Sequence, residues 1–254
     1  MTNADAAAAE RLAARIIAAR RGAAPLDPAE FSHYPDDIES AYAVQRIVAS
    51  AVGPVGGFKT ARKPSQSQII APIFAQDIFH SPATIPAGRC RFLGVELELG
   101  FLIRRPLPAN AATLPADELR GFVSLAPAIE IVDTRLKDPG VDNALLKLAD
   151  NQINGGLVIG TPLDDWYNVD TIHPRARLTF DTNAVLDGEA MVPGGDAFET
   201  FCALVGIIGS HCGGLHAGQF VITGSLNGLP YVQPGTRVRG SIAGLGDIAV
   251  DFST

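Results

Sequence analysis

Two glutamates one residue apart, Glu96 and Glu98, stand inside an otherwise apolar stretch, Phe92-Leu-Gly-Val-Glu-Leu-Glu-Leu-Gly-Phe-Leu-Ile103. In a strand, successive side chains point to opposite faces, so both carboxylates share one face, roughly 7 Å apart. The other face carries Val95, Leu97, Leu99, Phe101 and Ile103, a row that calls for burial. Gly94 and Gly100 flank the acids and are expected to leave space beside them. A third isolated acid, Glu130, lies in a second apolar run, Pro127-Ala-Ile-Glu-Ile-Val-Asp133. The pattern calls for buried strands with carboxylates projecting from a rigid frame.

An E-x-E pair also arises on a solvent-facing strand with alternating charge. Glu130 weighs against that reading, because a lone carboxylate among Ala128, Ile129, Ile131 and Val132 is costly to bury. Three carboxylates on rigid elements suit a hard divalent cation, Mg²⁺ or Mn²⁺, with positions left for water or substrate. The five histidines show no paired ligand spacing, which argues against zinc.

Around this core, the 254 residues allow one large domain or a small one plus a large one. Residues 4–22 are Ala-rich with interspersed charge, a strong helix former. Asp36 and Glu39 resemble a capping box ahead of a second helix beginning at Ile38. From Val55 onward, short apolar runs separated by Pro, Gly and Asn/Asp predict strands at 55–59, 92–103, 121–132, 156–160, 175–181, 219–224 and 237–252. Helical interruptions are expected near Ala116–Arg120 and Ala197–His211. The expected organisation is a helical cap over 1–53 on a β-rich domain over 54–254, an α+β chain.

The net charge of −7 argues against a nucleic-acid partner. Charges break up any secretory signal in the first 22 residues, although the Ala/Arg pattern faintly resembles a transit peptide. The run Phe201–Gly209 is too short to span a bilayer, and three free-spaced cysteines fit a reducing cytoplasm. A soluble, cytoplasmic protein is expected.

Three further segments carry candidate chemistry, each with a plain structural alternative. Lys59, in Gly56-Gly-Phe-Lys-Thr-Ala-Arg-Lys63, is either a surface cation or a proton-transfer group whose pKa a neighbouring metal lowers. Arg62 and Lys63 offer charge for a second substrate carboxylate. Asp150 and Asn151 open a polar turn that presents side chains and N–H groups to a small anion. Thr223 and Ser225 flank Gly224 at a strand end and offer hydroxyls to a substrate carboxylate.

Taken in order, several stretches resemble the 2-keto-4-pentenoate hydratase / 4-oxalocrotonate decarboxylase family of the fumarylacetoacetate hydrolase superfamily. They are Gly57-Phe-Lys59, Pro72–Phe79, Ile85–Arg89, Val95-Glu-Leu-Glu-Leu99, Pro106–Pro108, Ile129–Arg135, Ala149-Asp-Asn151, Ala217–Ser225, Pro234–Thr236 and Gly244–Phe252, spanning nearly the whole chain. The resemblance implies a mixed β-roll with an N-terminal helical cap, assembled as a homo-oligomer. It implies a Mg²⁺ or Mn²⁺ site at Glu96, Glu98 and Glu130, with Lys59 as the active-site lysine. The chain departs from the family's usual sequence at Thr60–Ser65, at Gln152 and Ile153, and at Phe201–Gly209, which leaves substrate identity open.

The expected activity is hydration of a 2-hydroxydienoate by a metal-dependent lyase acting on a small 2-oxo acid. The alternatives are decarboxylation of an oxalocrotonate-like acid, C–C hydrolysis of an acylpyruvate with His80 as the one candidate for activating water, and a non-catalytic oligomeric ligand binder.

Overall fold

The apolar segment around the paired glutamates is a strand, Gly94–Ile103, in the computed structural model, which describes residues 3–62 and 66–254. It lies mid-sheet, flanked on both sides by antiparallel neighbours. The strands in chain order are β1 (Val55–Ala61), β2 (Ile69–Phe74), β3 (Ile78–His80), β4 (Ala83–Pro86), β5 (Gly94–Ile103) and β6 (Val123–Val132). They continue with β7 (Asn154–Ile159), β8 (Arg175–Phe180), β9 (Asn183–Glu189), β10 (Phe220–Ser225), β11 (Arg237–Ile242) and β12 (Gly246–Ser253). The helices are α1 (Asn3–Arg20), α2 (Ile38–Val52), α3 (Ala116–Arg120), α4 (Ala144–Ala149) and α5 (Ala197–Ile207).

Seven strands form one mixed sheet in the order β2-β1-β10-β5-β6-β7-β3, and five form a second, β4-β12-β11-β8-β9. The larger sheet curls. Its two edge strands, β2 and β3, follow one another in the chain, β2 comes close to β7, and Gly56 on β1 lies against Ala75, just after β2, and Ile78, the first residue of β3. A Cβ at Gly56 would come within 2.8 Å of the Ala75 backbone, so this close approach requires glycine. A small apolar cluster from β2, β6, β7 and β10 fills the inside: Ile73, Ala126, Ala128, Leu157, Phe220 and Ile222.

The outer face of β5 and β6 meets the main core. Val95, Leu97, Leu99, Phe101 and Ile103 are all buried there, as their alternation requires. Phe101 packs among Trp166, Phe198 and Phe201, and Asp196 caps α5 by accepting from the N–H groups of Phe198 and Glu199. Gly240 of β11 sits over Leu97, which seats the second sheet on the same core.

Helices α1 and α2 pack on each other and share that core. The cap of α2 lies one residue later than the sequence pattern indicates: Asp37, not Asp36, accepts from the Ser40 N–H at 2.7 Å. Asp36 instead takes the Ser40 hydroxyl, so no Asp36–Glu39 box forms. Gln45, fully buried on α2, donates to the carbonyls of Ile70 and Leu148 and ties the helix pair to the body. The predicted single run 237–252 is a hairpin, with β11 and β12 paired across a turn at Gly244. No helix among the described residues is long and apolar enough to cross a membrane.

Candidate metal centre

The antiparallel register of β5 and β6 sets Glu96 directly opposite Glu130, and Glu98 opposite Ala128. Directly opposed residues share a face, so the three carboxylates project together into the curl. One oxygen from each lies within 4.8 Å of the others. Glu98 and Glu130 are buried, and Glu96 is partly open at the rim. The roughly 7 Å spacing along β5 thus becomes a compact cluster through the neighbouring strand.

Lys59 reaches this cluster from β1, across the inside of the roll. Its Nζ donates to both oxygens of Glu130, at 2.6 and 2.7 Å, and to the Gln152 carbonyl at 3.2 Å. The Asn154 amide donates to the same carboxylate at 2.8 Å. Glu98 accepts from the Gly224 N–H at 2.5 Å. Gly224 has φ +124°, in the region glycine favours, which lets the β10 backbone turn its N–H onto the acid.

The electrostatics follow from burial and crowding. Burial, then the charge of Glu130, pushes Glu96 up to about 7. The same two causes, with Glu96 added, hold Glu98 well above the ordinary carboxylate range. Burial alone would depress Lys59, but Glu130, Glu96 and Glu98 outweigh it and hold the ammonium above its usual pKa. A lysine lowered toward neutrality, as the sequence reading assumes beside a metal, is therefore not what these side chains produce by themselves. Three acids face one lysine in a buried place, a crowding that a bound cation would relieve, and an all-oxygen set of this kind suits a divalent ion.

The other expected site residues lie at varying distance from the cluster. Ser225 is opposite Glu98 in register, with its hydroxyl donated to the Gly228 carbonyl at 2.7 Å. Thr223 is buried and its hydroxyl donates to the Leu99 carbonyl. Asp150 is fully buried, and both its oxygens are engaged, one by Arg135 Nε at 2.5 Å and one by Thr134 and the Arg135 N–H. Asn151 is buried too, with its Oδ1 lacking a partner among the described residues. Arg62 lies 3.6 Å from Glu199, and Lys63 falls outside the described residues. His80 is exposed at the end of β3.

The two glycines beside the acids do not leave open space. A Cβ at Gly100 would come within 2.0 Å of the Phe220 ring, and one at Gly94 would strike Leu229 and Val132. Glycine there admits neighbouring side chains rather than a ligand.

Two features escape the sequence reading. Asn154 is one; as a single asparagine in a polar turn it carries no distinguishing pattern. The other is the turn itself, where Asn151, Gln152 and Ile153 have φ of +51°, +49° and +55°. Three consecutive non-glycine residues in the left-handed region are strained, most of all the β-branched Ile153. The turn aims the Gln152 carbonyl at Lys59, and no glycine announces it.

The curled mixed sheet with its helices is a fold shared with solved structures of the fumarylacetoacetate hydrolase superfamily. The solved 4-oxalocrotonate decarboxylase from Pseudomonas putida G7, complexed with magnesium and adipate, superposes with a TM-score of 0.80 at 16% identity, over 99% of this chain and 98% of that one. Fumarylpyruvate hydrolase from Pseudomonas aeruginosa, in complex with Mn²⁺ and pyruvate, reaches 0.56 at 16% identity over 77% and 88%.

Among curated proteins the relatives are those its motifs resemble, the 2-keto-4-pentenoate hydratases and 4-oxalocrotonate decarboxylase. 2-Keto-4-pentenoate hydratase 2 of Dechloromonas aromatica (strain RCB) is 28% identical, covering 97% of this chain and 98% of its own. 4-Oxalocrotonate decarboxylase of a Pseudomonas species is 28% identical over 63% of this chain and 60% of its own. No family model matches the sequence.

Proposed function

We propose that the chain is a divalent-metal-dependent hydratase that adds water to a small 2-hydroxydienoate, by way of its 2-oxo form. The observation that carries the reading is the convergence of Glu96, Glu98 and Glu130 with the Lys59 ammonium on Glu130. Full-length likeness to named hydratases supports the choice of reaction. The ion assigned is Mg²⁺ or Mn²⁺, since the donors are all carboxylate oxygens.

Glu96, Glu98 and Glu130 would hold the ion. When bound, a divalent cation supplies Lewis-acid stabilisation to the negative oxygen that develops on a 2-oxo acid. Lys59 keeps its proton at Nζ, and the Gln152 carbonyl and Glu130 orient it. That charged group is placed to stabilise an enolate oxygen and to pass a proton to carbon during ketonisation. Asn154 fixes the Glu130 carboxylate, and Gly224 fixes Glu98. Phe220, Leu157 and Ile222 close the inside of the roll against bulk water. In this reading Asp150 and Asn151 act by shaping the turn, while Ser225 and Arg62 are the polar groups open to substrate.

Decarboxylation passes through the same kind of enolate, and the structural likeness to a decarboxylase keeps it as the second reading. Metal-depleted protein should be offered a panel of 2-hydroxydienoates and their dicarboxylate analogues, with loss of diene absorbance followed before and after Mg²⁺. Metal-restored turnover to a 4-hydroxy-2-oxo acid supports the hydratase; release of CO₂ moves the assignment to the decarboxylase. Absence of turnover with every member of the panel defeats both. The reading extends to a cytoplasmic homo-oligomer with a cap over 1–53 and a catalytic body over 54–254, and light scattering checks the assembly.

A further inference from the structure

A cavity of about 830 Å³ opens beside the C-terminal end of α1, and none of Lys59, Glu96, Glu98 and Glu130 lines it. Its wall draws arginines from three separate stretches of chain: Arg20 and Arg21, Arg89 and Arg91, and Arg135. The acids there are Asp77 and Asp133, with Asp150 behind Arg135. Five guanidinium groups against three carboxylates leave two positive charges, in a chain whose net charge is −7.

The arginines are not equally committed. Arg135 is engaged at every guanidinium nitrogen, with Nε on Asp150, Nη1 on the Asn154 carbonyl at 2.7 Å and Nη2 on the Asp150 carbonyl at 2.6 Å. Arg89 is paired with Asp77. Among the described residues, Arg91 meets only neutral acceptors, chiefly the Leu136 carbonyl at 2.6 Å, and Arg21 has only the Ala51 carbonyl at 3.5 Å. Arg20 is nearly buried beneath the cavity, 3.7 Å from Asp77, with its guanidinium over the Phe74 ring and its Nε without a partner among the described residues. A buried, partly unpaired guanidinium is costly unless an anion completes it. Burial, then the charge of Arg135, pushes Arg20 down to about 9, which expresses the same deficit.

We propose that this cavity binds a small polyanion, a molecule with at least two carboxylate or phosphate groups, through Arg20, Arg21 and Arg91. The volume lies in the range of small-molecule sites, and the excess charge requires at least two negative groups. Guanidinium forks match carboxylate and phosphate oxygens equally well. The one nucleophile in the wall, Cys90, is pushed up to about 12 by burial and then the charge of Asp133, so the site binds rather than reacts.

The test uses full-length protein stripped of metal, so that a chelating anion gains nothing at the glutamate cluster. Citrate and pyrophosphate are titrated by calorimetry at constant ionic strength, with chloride as control. Saturable binding with Kd of about 1 mM or tighter is expected for at least one of them. Their order tells whether carboxylate or phosphate is preferred. Arg20→Gln and Arg91→Gln should each weaken binding about tenfold or more, the loss of one charge-assisted hydrogen bond. Arg21→Gln, at an exposed helix end, tests the same site should Arg20→Gln fail to fold. Glu98→Gln should leave binding unchanged. Absence of saturable binding, binding that survives the arginine changes, or binding lost in Glu98→Gln overturns the proposal.

Discussion

The Lys59 ammonium sits within 2.7 Å of both oxygens of Glu130, so one buried carboxylate serves a lysine and faces the acidic cluster at once. This shared carboxylate sets two effects of Lys59→Met in opposite directions. Loss of the proton-carrying group should lower kcat by a factor of about 10² or more. Loss of a positive charge beside the glutamates should tighten divalent-ion binding. Steady-state kinetics and a Mg²⁺ titration on the same variant check both. A near-normal rate removes Lys59 from the chemistry.

The crowding of Glu98 yields a second expectation. With no cation, burial and then the charges of Glu130 and Glu96 oppose its ionised form, so Glu98→Gln removes the cost of holding that carboxyl protonated while the Gly224 N–H keeps an oxygen acceptor. The metal-free variant should melt at or above the wild-type temperature. Mg²⁺ at a hundredfold excess over Kd should raise the wild type by about 5–10 °C and the variant by far less. Scanning calorimetry with and without chelator decides; an equal metal shift in both would remove Glu98 from the ligand set.

Asn154 acts on the cluster only through Glu130, to whose Oε1 it donates at 2.8 Å. Partners that orient a ligating carboxylate typically carry about 10–100-fold in metal affinity. Asn154→Ala should therefore weaken Mg²⁺ binding by that order, and excess metal should restore most of kcat. A loss of kcat that no metal concentration rescues would point instead to a direct role at the substrate.

The legible parts of this chain are those where period and chemistry coincide. Glu96 and Glu98 alternate with residues of a fully buried face, so strand, face and acids are read together. Glu130 stands out because nothing around it is polar. Strands β2, β3, β4 and β9 are not anticipated: β2 is interrupted by Pro72, β3 and β4 are three and four residues long, and β9 is largely exposed. Their pairing is decided by partners remote in sequence, such as β12 for β4. Asp150 shows what residue type leaves open. A conspicuous polar residue in a turn is drawn inward by Arg135 and Thr134, a pairing that side-chain type alone does not reveal. The left-handed turn at Asn151–Ile153 is hidden for a related reason, since tertiary contacts impose a backbone its residues disfavour.

His211 links stability to pH through the joint between helices and body. Its Nε2 lies 2.8 Å from Gln45 Oε1, while Gln45 Nε2 is spent on the carbonyls of Ile70 and Leu148. The ring is thereby fixed as the Nε2–H tautomer, and its Nδ1 is buried without a partner among the described residues. Burial, then the charge of Arg46, pushes His211 down to about 4 from 6.5. Between these values the unfolded chain binds a proton that the folded one refuses. The contribution of His211 to stability is therefore complete above pH 6.5 and is lost as the pH falls toward 4. From pH 7 to pH 5 the loss is about 2 kcal/mol. Urea denaturation of wild type and His211→Gln at both pH values isolates the effect, because the carboxylates titrate alike in each and cancel in the difference. The variant should show a pH-dependence shallower by that amount; an identical drop in both proteins would mean that the ring takes up its proton within the fold.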